Sequence, residues 1–214
     1  MSTPVARNAE LWVIAAPSGA GKTSLVRGLL ERDPSLRFSI SYTTRAPRSS
    51  EVDGRDYFFV SKEKFHEMVR NEAFLEHACV FDNWYGTGRA HVEELLKGGT
   101  SVVLEIDWQG ARQVRERALG SRSIFILPPN VAELERRLRG RKSDSEATIE
   151  RRLQDAVGDM THWAEFEHVI VNDDFGAALD RLAAVIAGTE QGARTSLPAV
   201  RAAAEAIAGP SRGA

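Results

Sequence analysis

The chain has 214 residues, 43% hydrophobic and 27% charged, with a net charge of −2, which suits one α/β domain with insertions, or one domain plus a small appendage. Near-neutral charge disfavours a surface that grips nucleic acid, and no apolar run approaches the roughly 20 residues of a membrane-spanning helix. A single cysteine, Cys79, excludes an internal disulfide and a thiolate zinc cluster and suits a reducing, cytoplasmic compartment.

Residues 1–10 lack an apolar core and read as a short arm, not a signal peptide. The apolar run Leu11–Ala15 predicts a buried parallel strand. A Gly/Ser-rich turn follows, then a helix over residues 24–32 with Leu25, Val26, Leu29 and Leu30 on one side. Residues 38–44 and 57–60 are β-rich, residues 62–71 read as a helix and 74–81 as a strand. Strands this close, with little helix between them, do not make βαβ units, and predict a small inserted α+β subdomain.

Regular alternation then resumes: helix 92–97, strand 101–107, helix 109–118, strand 123–127, helix Val131–Arg139, strand 169–171 and helix 175–187. Such alternation predicts a parallel sheet covered on both faces. Between lies a charged segment, where Ser143 and Glu146 have capping-box spacing for a helix through Ile149 and Leu153. From about residue 190 the chain is rich in Ala, Gly and Arg and reads as a mobile tail or a loosely held helix.

The first strand–turn–helix unit carries the main chemical signal. Gly21-Lys22-Thr23 matches the end of the G-x-x-x-x-G-K-[ST] phosphate loop, although Ala16 stands at its opening glycine. Gly19 and Gly21 let backbone N–H groups curl around phosphate oxygens, and the helix N-terminus adds its positive end. Lys22 would place a charge on the β/γ-phosphates, and the Thr23 hydroxyl could hold Mg²⁺. The alternative is a glycine-rich turn without a ligand. Asp107, at a strand's C-terminal end, lies where open α/β sheets bind ligands, or is a solvated strand terminus.

Two arginine clusters stand out: Arg45 and Arg48 beside Pro47, followed by Glu51 and Tyr57, and a group at 136–152 flanking the charged segment. Two forks three residues apart could clamp one phosphate, or simply form an exposed turn. The second cluster is either a solvated helix face or a flap that closes on a transferring phosphoryl group. The five histidines have no ligand spacing.

Together, Pro17 to Thr23, Ser41 to Arg48, Phe74 to Ala78, the turn Tyr85-Gly86-Thr87, Ile106 to Gly110 and Ile170 to Asp174 resemble the guanylate kinase family, in order, from about Leu11 to Ala187. The resemblance implies an α/β P-loop three-layer fold. It would have a parallel sheet core (about 9–37, 90–132 and 167–189), an inserted α+β nucleotide-monophosphate-binding subdomain (about 38–89), a helical lid (about 133–166) and a tail of unknown role (190–214). It implies Mg-dependent phosphoryl transfer from ATP to GMP, with these small molecules as partners and neither nucleic acid nor membrane. Oligomeric state is left open.

Carried over, ATP would lie on Pro17, Ser18, Gly19, Ala20, Gly21, Lys22, Thr23 and Ser24, with Asn172 near the adenine. Ser41 and Thr87 would bond the guanine carbonyl oxygen, and Glu76, helped by Asp107, its N1–H and amino group. Arg45, Arg48, Tyr57 and Tyr85 would hold the GMP phosphate, with Glu51 beside them. Lys22, Arg45, Arg137, Arg141 and Arg152 would be catalytic, Thr23 would hold Mg²⁺, and Asp107 would reach it through a water. Glu105 stands where the family pattern leads one to expect Asp, and is left out of the candidate set. Three rivals remain: a phosphopeptide-binding relative without catalysis, a kinase acting on another acceptor, and an ATPase or GTPase switch. Lys22, Thr23 and the arginines speak against the first, Glu76, Ser41 and Thr87 against the second, and the inserted subdomain against the third.

Overall fold

The computed structural model describes residues 9–80, 82–118, 120–140 and 146–210. In chain order they form β1 (Leu11–Ala15), α1 (Lys22–Arg32), β2 (Arg37–Phe38), β3 (Ser41–Thr43), β4 (Phe58–Phe59), α2 (Lys62–Arg70), β5 (Phe74–Val80) and β6 (Asn83–Gly88). There follow α3 (Arg89–Lys97), β7 (Val102–Glu105), α4 (Trp108–Arg117), β8 (Arg122–Leu127), α5 (Val131–Arg139), α6 (Glu146–Met160), a 3₁₀ turn (Trp163–Glu165), β9 (His168–Val171), α7 (Phe175–Ile186) and α8 (Pro198–Ala208).

The strands form two sheets, a five-stranded one of order β2-β7-β1-β8-β9 and a four-stranded one of order β4-β3-β6-β5. In the first, β2 runs parallel to β7 and β8 parallel to β9. Every residue of β1 is buried, as a strand covered on both faces requires. The second sheet is mostly antiparallel. This is the α/β architecture that the alternation of the sequence predicts.

By compactness the chain falls into two units. The first runs to Trp12 and takes in Pro34–Leu104 and Gln109–Ser121, and the second comprises Val13–Asp33, Glu105–Trp108 and the chain from Arg122 on. The four-stranded sheet belongs to the first. Its apolar face is covered by α2, whose Phe65 stacks on Phe74 at 4.6 Å, while Tyr42 stacks on Phe58 at 4.8 Å. Gly86 is needed in β6, because a Cβ there would lie 3.0 Å from the Phe74 ring and 3.1 Å from that of Phe65. In the second unit α1 packs on α7, so closely at Gly28 that a Cβ would meet Leu179 at 2.8 Å.

Three local expectations are corrected. Residues 85–87, read as a turn, are the middle of strand β6; Gly86 and Gly88 mimic turn punctuation, but one admits rings and the other starts a helix. The helix expected at 92–97 begins at Arg89, capped by Gly88. The β-rich run 38–44 divides into β2 and β3, which belong to different sheets.

Candidate functional site

The predicted residues gather into two groups, one in each unit. In the second unit the loop after β1 turns at Pro17, whose carbonyl accepts from the Ala20 N–H at 3.2 Å. Gly19 and Gly21 then adopt φ of 90° and 93°, a conformation open to glycine. No side chain caps α1 and its first turn carries no acid. The helix thus supplies neither a cap nor an acid of its own to its first N–H groups and positive dipole end, as suits an anion site.

Lys22 and Thr23, the first residues of α1, are both tied to the end of β7. Lys22 Nζ donates to the Ile106 carbonyl at 2.7 Å, and Thr23 Oγ1 to the Glu105 carboxylate at 2.5 Å. An ammonium has three N–H donors, so Lys22 keeps two for a ligand. A third tie comes from the opposite side. Asn172, just after β9, donates from Nδ2 to the Ala20 carbonyl at 2.7 Å, and Arg137 of α5 reaches the same carbonyl from Nη1 at 3.3 Å. Arg137 also donates from Nη2 to the Asn172 carbonyl at 3.0 Å and from Nε to Glu133 at 2.7 Å. The Arg136 and Arg137 guanidiniums lower the Glu133 carboxyl to about 2, so this brace stays ionised through the acid range.

Behind Asp107, Trp108 stacks on His162 with centroids 3.6 Å apart, and its Nε1 donates to Asp159 at 2.9 Å. Burial first, then the Asp107 charge, pushes the Asp159 carboxyl above its ordinary range, although the Trp108 hydrogen bond opposes them.

In the first unit one row of residues crosses three strands. Ser41 of β3 pairs with Thr87 of β6, and Thr87 with Glu76 of β5. Residues directly opposite share a face, so these three side chains belong to one face of the sheet. Glu76 is 4% exposed and Thr87 1%, and Thr87 Oγ1 donates to Glu76 Oε1 at 2.6 Å. Two residues along, the next row on that face brings in Thr43 and Tyr85, with Phe59 opposite Thr43. Tyr57 lies edge-on to Tyr85 at 6.1 Å.

Arg45 lies over the Tyr57 and Phe59 rings, 5.4 and 5.9 Å from their centroids. Its two terminal nitrogens donate to the two Glu51 oxygens at 3.0 and 2.8 Å. This fork raises Arg45 and, together with the Arg48 N–H at 2.7 Å, lowers Glu51. Arg48 presents an exposed guanidinium 3.9 Å from Glu51. Two guanidiniums against one carboxylate leave this group with a net positive charge.

The structure thus brings Ser41, Thr87 and Glu76 together, and likewise Arg45, Arg48, Glu51, Tyr57 and Tyr85. In the other unit it gathers Gly19, Ala20, Gly21, Lys22, Thr23, Arg137 and Asn172. Ser24 is exposed, and Arg152 is half-buried on α6. Arg141 lies outside the described residues. Sequence reasoning passed over Glu105, whose bond to Thr23 makes it part of the phosphate-loop group. The signal was available in its position, an acid closing the strand nearest the Lys-Thr pair.

Comparisons with known proteins point to one family. A family model described as "Guanylate kinase" matches residues 8–189. The guanylate kinase of Methylococcus capsulatus is 56% identical over 176 residues, which cover 82% of this chain and 86% of that protein. That of Escherichia coli K12 is 52% identical over 178 residues, again 82% and 86%. The crystal structure of guanylate kinase from Anaplasma phagocytophilum superposes with a TM-score of 0.70 at 33% identity, covering 92% of this chain and 94% of that one.

Proposed function

The chain belongs to the guanylate kinase family and is an ATP:GMP phosphotransferase, and we propose the following division of the reaction among its residues.

GMP is taken by the sheet-face group. The Watson–Crick edge of guanine offers N1–H and N2–H donors, which the Glu76 carboxylate accepts. Adenine offers an acceptor at N1, which Glu76 repels, and such a buried mismatch costs about 1–3 kcal/mol. Ser41 donates to the guanine carbonyl. Thr87 has one proton, and while it goes to Glu76 its part is to hold the carboxylate. Arg45 and Arg48 take the GMP phosphate with Tyr57 and Tyr85, and Glu51 keeps the Arg45 fork in place.

ATP is taken by the phosphate-loop group. The N–H groups from Gly19 to Thr23 and the free donors of Lys22 surround the phosphates. The Thr23 hydroxyl oxygen and the Glu105 and Asp107 carboxylates are hard oxygen ligands of the kind Mg²⁺ takes. With its proton on Glu105, Thr23 Oγ1 would keep its lone pairs for the metal, and Asp107 would act through a water. When bound, Mg²⁺ would supply positive charge against the charge that develops on the phosphates. Lys22, Arg137, Arg141 and Arg152 add cationic stabilisation as the γ-phosphoryl group moves. A phosphate monoester is already a nucleophile, so no general base is required.

The observation that carries this reading is the buried Thr87–Glu76 pair on the same sheet face as Ser41. The test is ADP release in a coupled assay with ATP, Mg²⁺ and each of GMP, AMP, CMP and UMP. Release with GMP alone is expected, and equal rates with AMP would remove Glu76 from its role. Excess EDTA should abolish turnover and Mg²⁺ restore it; turnover that survives EDTA excludes the metal role. Cytoplasmic location and small-molecule partners are supported by the lone exposed Cys79 and the near-neutral charge, and no helix among the described residues is long and apolar enough to cross a membrane.

A further inference from the structure

We propose that Asn172 is a positioning residue of the phosphate loop and acts on the nucleotide through the loop's backbone, not by reading the adenine ring. The inference rests on the reading of residues 17–24 as the ATP loop, and it reassigns a residue that the family resemblance puts near the base. Asn172 is 4% exposed. Its amide nitrogen donates to the Ala20 carbonyl at 2.7 Å, and its own backbone N–H donates to Leu127 at the end of β8 at 2.8 Å. The side chain is thus anchored at its root to the central sheet and at its tip to the loop.

The peptide bond carries the consequence. No described peptide is cis, so in the Ala20–Gly21 unit the C=O and N–H point in opposite directions. Pinning the Ala20 oxygen to Asn172 therefore turns the Gly21 N–H away from it, to the side where it can donate to a phosphate. Arg137 reinforces this by bonding both the Ala20 carbonyl and the carbonyl of Asn172. Gly21 makes the close approach affordable. Its φ is 93°, and a Cβ on it would sit 2.4 Å from Asn172 Nδ2, closer than any real contact. Loop conformation and Asn172 are therefore mutually fitted: the amide occupies the space that a side chain at position 21 would need.

A loop-positioning residue and a base reader differ in which ligands they affect. The experiment compares wild-type protein with Asn172→Ala and Asn172→Asp, the latter keeping the volume while setting an acceptor against the Ala20 carbonyl. For each, kcat/KM is measured with ATP, CTP and UTP as donors, and the dissociation constant by equilibrium dialysis for ATP and for inorganic tripolyphosphate, which has no base. The expected result is a loss of about tenfold, equal for all three donors and shared by tripolyphosphate, with KM for GMP unchanged. A loss confined to ATP, or unaltered ATP binding in both variants, would overturn the proposal. Ratios between ligands do not depend on the fraction of variant that folds. Direct ATP binding also separates the two claims: a wild-type chain that bound ATP without phosphorylating GMP would sink the assigned reaction and leave the Asn172 comparison readable.

Discussion

Thr87 and Glu76 stand directly opposite each other on neighbouring strands, and the threonine hydroxyl gives its proton to the carboxylate at 2.6 Å. Both are almost wholly buried. A buried carboxylate must be provided with donors, and here one comes from the adjacent strand before any ligand arrives. Thr87→Val keeps the shape and removes the donor. It should destabilise the fold by about 1–3 kcal/mol and raise KM for GMP more than it lowers kcat. Melting curves and steady-state kinetics read both effects; an unchanged KM with lowered stability would limit Thr87 to a structural part.

Glu76→Gln should be less disruptive to the fold, because the Gln carbonyl can still accept from Thr87. Its amide group, however, sets a donor against the donors of guanine. Loss of a charged hydrogen-bond acceptor is worth about 1.5–3 kcal/mol, so kcat/KM for GMP should fall roughly 10- to 100-fold, and the preference for GMP over AMP should narrow. Retained preference in the variant would move base discrimination to other residues.

Lys22→Met tests the phosphate loop. Lys22 is half-buried and bonded to the Ile106 carbonyl, so its loss should cost little stability. Removing one preorganised charge from a transferring group typically costs about 10²–10³ in kcat. KM for GMP should be nearly unaffected. Wild-type turnover by this variant would contradict the proposed charge stabilisation.

Much of this was legible in the sequence, for reasons that differ by element. The phosphate loop is contiguous, so Gly19, Gly21, Lys22 and Thr23 declare themselves by spacing alone. The row Ser41–Thr87–Glu76 is not contiguous. It depends on the register of β3, β6 and β5, and reading residues 85–87 as a turn hid the strand that joins the other two. The family resemblance supplied the three residues but not the hydrogen bond between Thr87 and Glu76. Glu105 was passed over because chain length, not position, was weighed; the extra methylene of Glu still brings its carboxylate to Thr23. Asn172 was legible as a site residue, while its bond to Ala20 links positions 152 apart, a separation that no local pattern reports.

Asp159 gives a pH prediction. Burial and the neighbouring Asp107 charge raise its carboxyl above the ordinary 3.8, so in the folded chain the ionised form is disfavoured. A folded-state value above the unfolded one means a cost to stability at neutral pH, which fades as pH falls through the folded value and is gone below 3.8. Asp159→Asn keeps an acceptor for Trp108 and cannot ionise. It should therefore be more stable than the parent at pH 7, with the difference shrinking as acid is added. Urea titrations across pH 3.5–7.5 measure it, and a variant that is less stable at pH 7 would show that the carboxylate is instead a net stabiliser.

The last element of the chain lies beyond the family match, which ends at residue 189, yet it is bonded to the sheet. β9 is a terminal strand of its sheet, and an uncovered edge invites pairing with another chain. Residues beyond α7 occupy that edge: Val169 donates to the Ala193 carbonyl and Thr195 to that of Glu167, both at 2.9 Å, with an antiparallel bridge between His168 and Arg194. Helix α8 then packs on β8, with Arg201 lying 5.3 Å from the centroid of the buried Trp163 ring. Ending the chain after residue 189 removes three backbone hydrogen bonds to the rest of the chain, a cation–π contact and the buried Ala193 and Ala204, together about 2–4 kcal/mol. At roughly 2–4 °C per kcal/mol for a chain of this size, the melting temperature should fall by about 5–15 °C, and the shortened chain should aggregate more readily. None of these contacts involves the phosphate loop or the reader face of the four-stranded sheet, so KM for ATP and for GMP should be unchanged below the transition. An unshifted melting temperature would mean that the segment adds nothing to the fold, and a raised KM for ATP would tie it to the nucleotide through β9 and Asn172.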